Sequence, residues 1–416
     1  MKLENERTHQ METFEPLTGT ATIYVCGITP YDTTHLGHAF TYLSYDVLIR
    51  YWEYLGYPVR YVQNVTDIDD DIIRKSGETG EDWLALGNRW TRHFIEDLKA
   101  LNVRPPDVFP RATDVIPEML EHIQTLIDRG VGYVADGNVY YHVEADPGFG
   151  RTSGLRPEEW LPMANERGNF PDDPHKRAPL DFVLWQAQKP GEPAWESPWG
   201  KGRPGWHIEC STMGLTYLGE IIDVHGGGGD LEFPHHECET AQSCGITGQP
   251  EFARFWLHTA MVRYQGEKMS KSLGNLIWAR DLLKEYGPDT VRILVNSHPY
   301  HETWEYDPAE LGPAQALARK LEMAVSAASG TGDPLSVDDS IAGFEAALDA
   351  NLNTRQALVE LERLGDCILS AAARGHNVTG AQATLHKLGA VFGLRFGQSI
   401  SKRVQEGWNA HYRRFL

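Results

Sequence analysis

Two short stretches carry residue types suited to phosphate chemistry. His35-Leu36-Gly37-His38 follows Ala21–Ile28, a run that reads as a buried strand. Lys268-Met269-Ser270-Lys271-Ser272 lies more than 200 residues further along. Imidazoles at a helix start place N–H donors where free backbone N–H groups and the helix dipole already favour an anion. Gly37 lets a ligand come close to the backbone. Lys268 and Lys271, on a loop, can close over a polyphosphate and follow its charge as it moves. The pair predicts a nucleoside triphosphate site where catalysis is positioning plus electrostatic stabilisation. Taken singly, each motif is also what an ordinary helix start or a lysine-bearing surface loop looks like.

A second constellation combines thiol, imidazole and carboxylate. Cys26 closes the first strand, Cys210 ends Gly205-Trp206-His207-Ile208-Glu209-Cys210, and Pro234-His235-His236-Glu237-Cys238-Glu239 follows. These are zinc ligand types. On a helix beginning near Pro234, His235 and Glu239 would share one face. The spacing is not that of a zinc finger. Two buried cysteines and a histidine pair at a helix start would read the same way.

The elements that must position these groups have the rhythm of a parallel α/β sheet. Ala21–Ile28 is followed by helical spacing over Thr41–Leu55, a stop at Gly56-Tyr57-Pro58, and a strand over Val59–Val65. Asn64–Asp67 then falls beyond a strand's C-terminal end, where such sheets bind ligands. Helical patterns cover Trp83–Leu101 and Val115–Arg129. A stretch rich in Gly, Pro, Asp and Trp follows, with a short strand at Val139–Val143. The α/β rhythm resumes at Gly202, through Ile221–His225, a glycine run at Gly226–Gly229 and Phe255–Met261. The expected organisation is a nucleotide-binding domain in two halves (1–130 and 202–325) split by an insertion (131–201). A linker (326–340) and a helical bundle with a short tail (341–416) complete it.

The bulk properties narrow the classes. The 416 residues suffice for two or three domains with sizeable cores. No uninterrupted apolar run is long enough to span a bilayer, and the charged first residues do not form a secretory leader. Five scattered cysteines argue against a disulfide framework and for a reducing cytoplasm. A net charge of −20 argues against extended nucleic-acid binding, where basic patches supply most of the affinity. The one basic-leaning segment is the tail, with Lys402, Arg403, Arg413 and Arg414.

In this order and spacing, the histidine and lysine motifs resemble the two signatures of the class I aminoacyl-tRNA synthetase fold. The stretches YVCGITPYDTTHLGHA, YVQNVTDIDD, GRPGWHIECS, HGGGGDLEFPHHE and EKMSKSLGN resemble the cysteinyl-tRNA synthetase family. That family includes true synthetases and a paralogue, the cysteine ligase of mycothiol biosynthesis. The resemblance runs from about residue 20 to 310, and more loosely to about 394. It implies a Rossmann-like parallel sheet with an insertion, followed by a helical bundle. The implied activity is ATP- and Mg2+-dependent activation of L-cysteine to cysteinyl-adenylate, with His35, His38, Lys268 and Lys271 as catalytic groups. The family's zinc site maps onto Cys26, Cys210 and His235, with Glu239 as a further ligand and Cys238 a neighbour that could also face the metal. Its role would be to bind the substrate thiolate. Gly27, Ile28, Thr29, Gly37, Thr41, Asn64, Val65 and Thr66 would line the adenylate pocket. Trp206 and His207 would wall the amino-acid side, Gly228, Gly229 and Asp230 would meet the adenosine, and Val262 the adenine.

The family divides over the acceptor. After the helical segment only Phe396–Leu416 remains, too short for a further anticodon-reading domain. Asn165-Glu166-Arg167-Gly168 with Pro171–Pro174 resembles a loop of the mycothiol-type ligases, whereas Glu239 resembles the synthetases. The expectation drawn is a monomer that transfers cysteine to a small amine such as glucosaminyl-inositol in preference to tRNA. A non-catalytic cysteine or nucleotide sensor on the same scaffold is the reading from another class.

Overall fold

The computed structural model describes residues 1–31, 34–269 and 273–416. A hairpin of β1 (Lys2–Asn5) and β2 (Gln10–Thr13) precedes β3 (Ala21–Ile28), α1 (Leu36–Tyr54) and β4 (Val59–Val65). Next come α2 (Asp70–Thr79), α3 (Trp83–Ala100) and α4 (Ile116–Asp128). An antiparallel module then holds β5 (Gly132–Ala135), β6 (Asn138–Tyr141), α5 (Pro157–Glu166), β7 (Phe182–Ala187) and β8 (Gly202–Pro204), its strands paired in that order. The chain returns through α6 (Trp206–Leu218), β9 (Ile222–Gly228), α7 (Glu237–Thr247) and β10 (Ala253–Thr259). Short strands β11 (Val262–Tyr264) and β12 (Glu267–Lys268), helices α8 (Ala279–Tyr286) and α9 (Pro288–Asn296), and β13 (Trp304–Glu305) follow. Helices α10 (Leu311–Ser326), α11 (Asp338–Asp349), α12 (Thr354–Ala373), α13 (Thr379–Val391) and α14 (Lys402–Tyr412) complete the chain.

The central sheet has the order β10-β9-β3-β4 with every pair parallel. The chain leaves β3 for β4 on one side and returns to β9 on the other, so the strand order reverses between β3 and β9. In open α/β sheets that reversal opens the ligand crevice at the strands' C-terminal ends. Strand β3 is buried along nearly its whole length, as befits a central parallel strand, which explains its continuous apolar spelling.

Glycines let the strand ends converge. A Cβ on Gly27 would lie 1.6 Å from the Asn64 carbonyl oxygen, where β3 bulges past β4. A Cβ on Gly226 would lie 2.4 Å from Tyr45 Oη. That hydroxyl donates to the Leu257 carbonyl at 2.6 Å and accepts from the Gly227 N–H at 2.8 Å, tying α1 to β9 and β10. The glycine run expected after a strand is therefore mostly the strand itself. Helix α1 starts five residues before the apolar spacing predicts, because His35 caps it. Helix α10 packs on α9, α12 and α13, so the helical region includes a helix that precedes the segment read as a linker. That segment is itself anchored, with Gly330 N–H donating to the His376 carbonyl at 2.8 Å and Pro334 bridging to Asn377.

A buried ion cluster joins sheet, helices and bundle. Arg292 on α9 reaches the Asp46 carboxylate on α1, the Leu101 carbonyl at 2.7 Å and the Phe392 carbonyl at the end of α13. Asp46 also accepts from Arg50 Nε at 2.8 Å and from the Arg104 N–H at 2.7 Å. Burial alone would raise the Asp46 pKa, but Arg50 and Arg292 outweigh it and hold the carboxyl below its usual range. Removing one partner strands the other's charge in a dry interior, so Asp46→Ala is expected to cost about 3–5 kcal/mol in urea unfolding. A loss under about 1 kcal/mol would show that the cluster does not hold the helices together.

Candidate active site and metal centre

Four strand ends converge on one cavity. Its inner part, about 230 Å3, is lined by residues that include Cys26–Thr29, His35, Gly37, His38, Thr41, Asn64, Thr66, Trp206, Cys210, Gly228, Asp230, His235, Val262 and Lys268. The sequence scatters these groups over more than 200 residues, and the strand order collects them. Three expected members are placed elsewhere, and one of them, His207, lines the larger outer cavity instead. Val65 packs into the core, because strand alternation turns it away from Asn64 and Thr66. Gly229 is outside the lining and donates its N–H to the Thr259 carbonyl at 2.9 Å. Lys271 lies outside the described residues, with its neighbours Ser270 and Ser272.

The two motif histidines are built into the start of α1. His35 Nδ1 accepts from the Gly37 N–H at 3.1 Å and the His38 N–H at 3.4 Å. His38 Nδ1 accepts from the His35 N–H at 3.4 Å, and the two rings stack with centroids 3.8 Å apart. With both Nδ1 atoms accepting, a neutral ring carries its proton on Nε2. Both histidines line the cavity at a helix N-terminus, an arrangement suited to phosphate oxygens. Lys268 Nζ stands 3.4 Å from Asp230 Oδ2 across the same cavity. Arg167, just beyond α5, donates to the Asp230 carbonyl at 2.5 Å and also to the Phe233 carbonyl. The loop after β9 is thus held from the insertion side as well. Thr41 Oγ1 meets Thr259 Oγ1 at 2.7 Å, and Asn64 donates to Thr66 Oγ1 at 3.2 Å, fixing the side walls.

Cys26, Cys210, His235 and Glu239 come together as a buried donor set whose ligand atoms all lie within 4.8 Å of one another. Cys26 Sγ is 4.0 Å from Cys210 Sγ and 3.6 Å from Glu239 Oε1, and His235 Nε2 is 2.9 Å from that same oxygen. A tetrahedral zinc with bonds of about 2.0–2.3 Å puts its donors about 3.3–3.8 Å apart. The set is close to that size. His235 precedes α7, in a short irregular turn over Glu232–His236, yet it still meets Glu239. Trp206 stacks on His235 at 4.2 Å, and His207 Nδ1 meets His235 Nδ1 at 2.8 Å, so the ring is oriented from both sides. Cys238 belongs to neither ligand group among the described residues; it lines the outer cavity instead. Sequence reasoning missed a second layer. His225 Nε2 holds Glu239 Oε2 at 2.8 Å, and His236 Nε2 lies 3.3 Å from Cys26 Sγ. The His-His doublet at 235–236 was a visible signal, but which ring faced the thiols was not.

Burial and mutual contact set the electrostatics of this donor set. Burial pushes Cys26 well above the usual thiol range, and neighbouring Cys210 adds to the effect. Burial would also raise Cys210, but Cys26 and His235 outweigh it and bring that thiol down to about 7. Burial would lower His235, but Glu239 and Cys210 overcome it and raise the imidazole to about 10. His225 and His235 outweigh the burial of Glu239 and hold its carboxyl at about 2. Without metal, then, the set keeps protons on Cys26 and His235 at neutral pH. Cys210 is about half protonated there as well, and ligands must shed protons to bind, so metal loading at pH 7 should release between two and three protons and tighten as pH rises. Titration calorimetry in buffers of different ionisation enthalpy measures this. A pH-independent affinity would contradict the donor assignment.

The inner cavity opens into a larger one of about 1260 Å3 beneath the insertion, lined by Tyr31, Asp69–Asp71, Asp136, Tyr140, Arg167–Lys176, Gln186 and Arg203 among others. Aspartates outnumber lysines and arginines in its wall by seven to four. Asp70 is paired with Arg203 there, and Phe170 is 69% exposed near Asp172 and Asp173.

Comparison with known proteins agrees with this geometry. Residues 13–316 match the family described as tRNA synthetases class I (C) catalytic domain. A cysteine--tRNA ligase of Thermococcus onnurineus is 49% identical over 308 residues, covering 74% of this chain and 63% of that protein. The L-cysteine:1D-myo-inositol 2-amino-2-deoxy-alpha-D-glucopyranoside ligase of Thermomonospora curvata is 43% identical over 364 residues, covering 87% of each. Among solved structures, the methionyl-tRNA synthetase of Mycobacterium tuberculosis in complex with methionyl-adenylate shares the fold. Its TM-score is 0.62 at 16% identity, over 95% of this chain and 93% of that one. The chain belongs to the class I (C) tRNA synthetase catalytic-domain family, the family of the cysteinyl-tRNA synthetases and their cysteine-ligase paralogue.

Proposed function

We propose that this chain activates L-cysteine with ATP, forming cysteinyl-adenylate and pyrophosphate, and then transfers cysteine to an acceptor. The observation that carries the reading is the junction of two sites in one cavity. The buried Cys26–Cys210–His235–Glu239 set opens beside Trp206 onto the pocket where His35, His38, Asp230 and Lys268 meet. Bound zinc would supply a direct bond to the substrate thiolate, which serine cannot match. The protein's own groups do the rest. Asp230 offers acceptors for ribose hydroxyls. His35 and His38 present donors to the phosphates from the start of α1, where the dipole assists them. Lys268 leaves Asp230 for the charge that develops on the α-phosphoryl oxygens and departing pyrophosphate, a contact that strengthens in the transition state. Lys271 is assigned the same role from its motif. Five unpaired cysteines, four of them buried, suit a reducing cytoplasm.

For the acceptor, the relatives weigh differently from the residue-level expectation. Further cysteine--tRNA ligases match at 41–45% identity, beside the amino-sugar ligase at 43%. The tRNA 3′ end is therefore the first reading, and Glu239 within the donor set accords with it. A small polyol amine is the second reading, favoured by the excess of aspartates over lysines and arginines in the outer cavity and the net charge of −20. Both suit an ammonium group and disfavour phosphates.

Cysteine-dependent ATP–pyrophosphate exchange tests activation. Lys268→Ala should lower kcat by about 10²-fold or more with little change in the KM for cysteine, because the contact is realised mainly in the transition state. A pure KM effect would remove Lys268 from the chemistry, and no exchange at all would favour a sensor. Labelled cysteine offered with tRNA or with glucosaminyl-inositol then assigns the acceptor. Label on tRNA supports the first reading and label on the amino-sugar the second.

A further inference from the structure

Behind Cys26 runs a line of three side chains that the activation chemistry does not use. His236 Nε2 lies 3.3 Å from Cys26 Sγ, and His236 Nδ1 lies 2.7 Å from His258 Nε2 on β10. His258 Nδ1 is held by the Glu6 carboxylate, whose other oxygen accepts the His258 backbone N–H at 3.0 Å. Glu6, in the turn of the N-terminal hairpin, donates its own N–H to the Trp256 carbonyl at 3.2 Å. The two rings are buried and stacked, with centroids 4.8 Å apart.

We propose that Glu6, His258 and His236 form a positioning relay for the metal centre, through which the N-terminal hairpin sets the place of the Cys26 sulfur. A carboxylate that fixes the orientation of an imidazole is a recurring support of metal sites. Here the carboxylate acts through two rings, and the far ring meets a ligand sulfur. Cys26 needs such support. It lies near the end of β3, inside the irregularity between Val25 and Ile28, where the ladder to β4 shifts register and no longer locates the side chain by itself. The relay supplies the missing constraint from the opposite edge of the sheet, by way of β10. Glu6, His258 and His236 are positioning residues, not catalytic ones. The inference rests on the metal-centre reading above.

The test uses the full chain with Glu6→Gln and, separately, His258→Asn. Zinc affinity is measured by competition with a chromophoric chelator, and the cobalt(II)-substituted proteins are compared by their thiolate-to-metal charge-transfer bands. The expected result is one metal per wild-type chain, with affinity falling about 10–100-fold in the variants and a shifted charge-transfer band. Variants that lose thermal stability but keep wild-type zinc affinity and cobalt spectrum would overturn the relay and leave the metal centre standing. Two metal ions per wild-type chain would also overturn it. Cys26, His225, His236 and Glu239 form a second donor set, and His236 would then be a ligand. A wild-type chain that takes no metal would bring down the metal reading itself, and the relay with it.

Discussion

Two thiols and a carboxylate, all buried within a few ångströms of one another, are the constraint around which the catalytic half is arranged. Three anions cannot share a dry interior without compensation. In the metal-free protein, protons on Cys26 and His235 and the hydrogen bonds from His225 and His235 to Glu239 provide it. A divalent cation held by Cys26, Cys210, His235 and Glu239 would provide it in place of those protons. That need draws in groups from the end of β3, from α6, from α7 and from β9, and so it dictates how these elements meet.

The sheet makes the meeting possible. Reversal of strand order between β3 and β9 leaves a crevice at their C-terminal ends, and the residues that fill it are glycine wherever another backbone or ring comes close. Gly27 admits the Asn64 carbonyl and Gly226 admits Tyr45. The phosphate-side groups and the metal-side groups then face a single space. Activation of a thiol-bearing amino acid requires this, because its carboxylate must reach the α-phosphate while its sulfur is held elsewhere. The cluster of Asp46 and Arg292 fixes α1 to the bundle, and α1 carries His35 and His38. The bundle therefore bears on the active site through a helix end, not through a loop.

Beyond the inner cavity, the insertion roofs a larger space, and Arg167 latches that roof onto the loop bearing Asp230. An enzyme that hands an activated acid to different acceptors can keep the first site unchanged and alter the second. The two acceptors named among the relatives, a tRNA and an amino-sugar, fit that division of labour.

Much of this was legible in the letters. The strands Ala21–Ile28 and Val59–Val65 follow directly from apolar runs bounded by turn residues, and the grouping of Cys26, Cys210, His235 and Glu239 from residue type and family resemblance. Residue chemistry and short-range periodicity are local properties, and local properties are written in sequence. Other features depended on contacts between distant segments. Val65 turned into the core, because alternation fixes a face only once the register is known. Cys238 turned toward the outer cavity, although His235 stands only three residues before it. Glu6, His225 and His258 have no motif of their own, and only strand order brings them to the donor set. The sequence by itself determined which chemistries this protein can perform. The tertiary structure decided which atoms share a space, because pairing and packing act across hundreds of residues and leave no periodic trace in the chain.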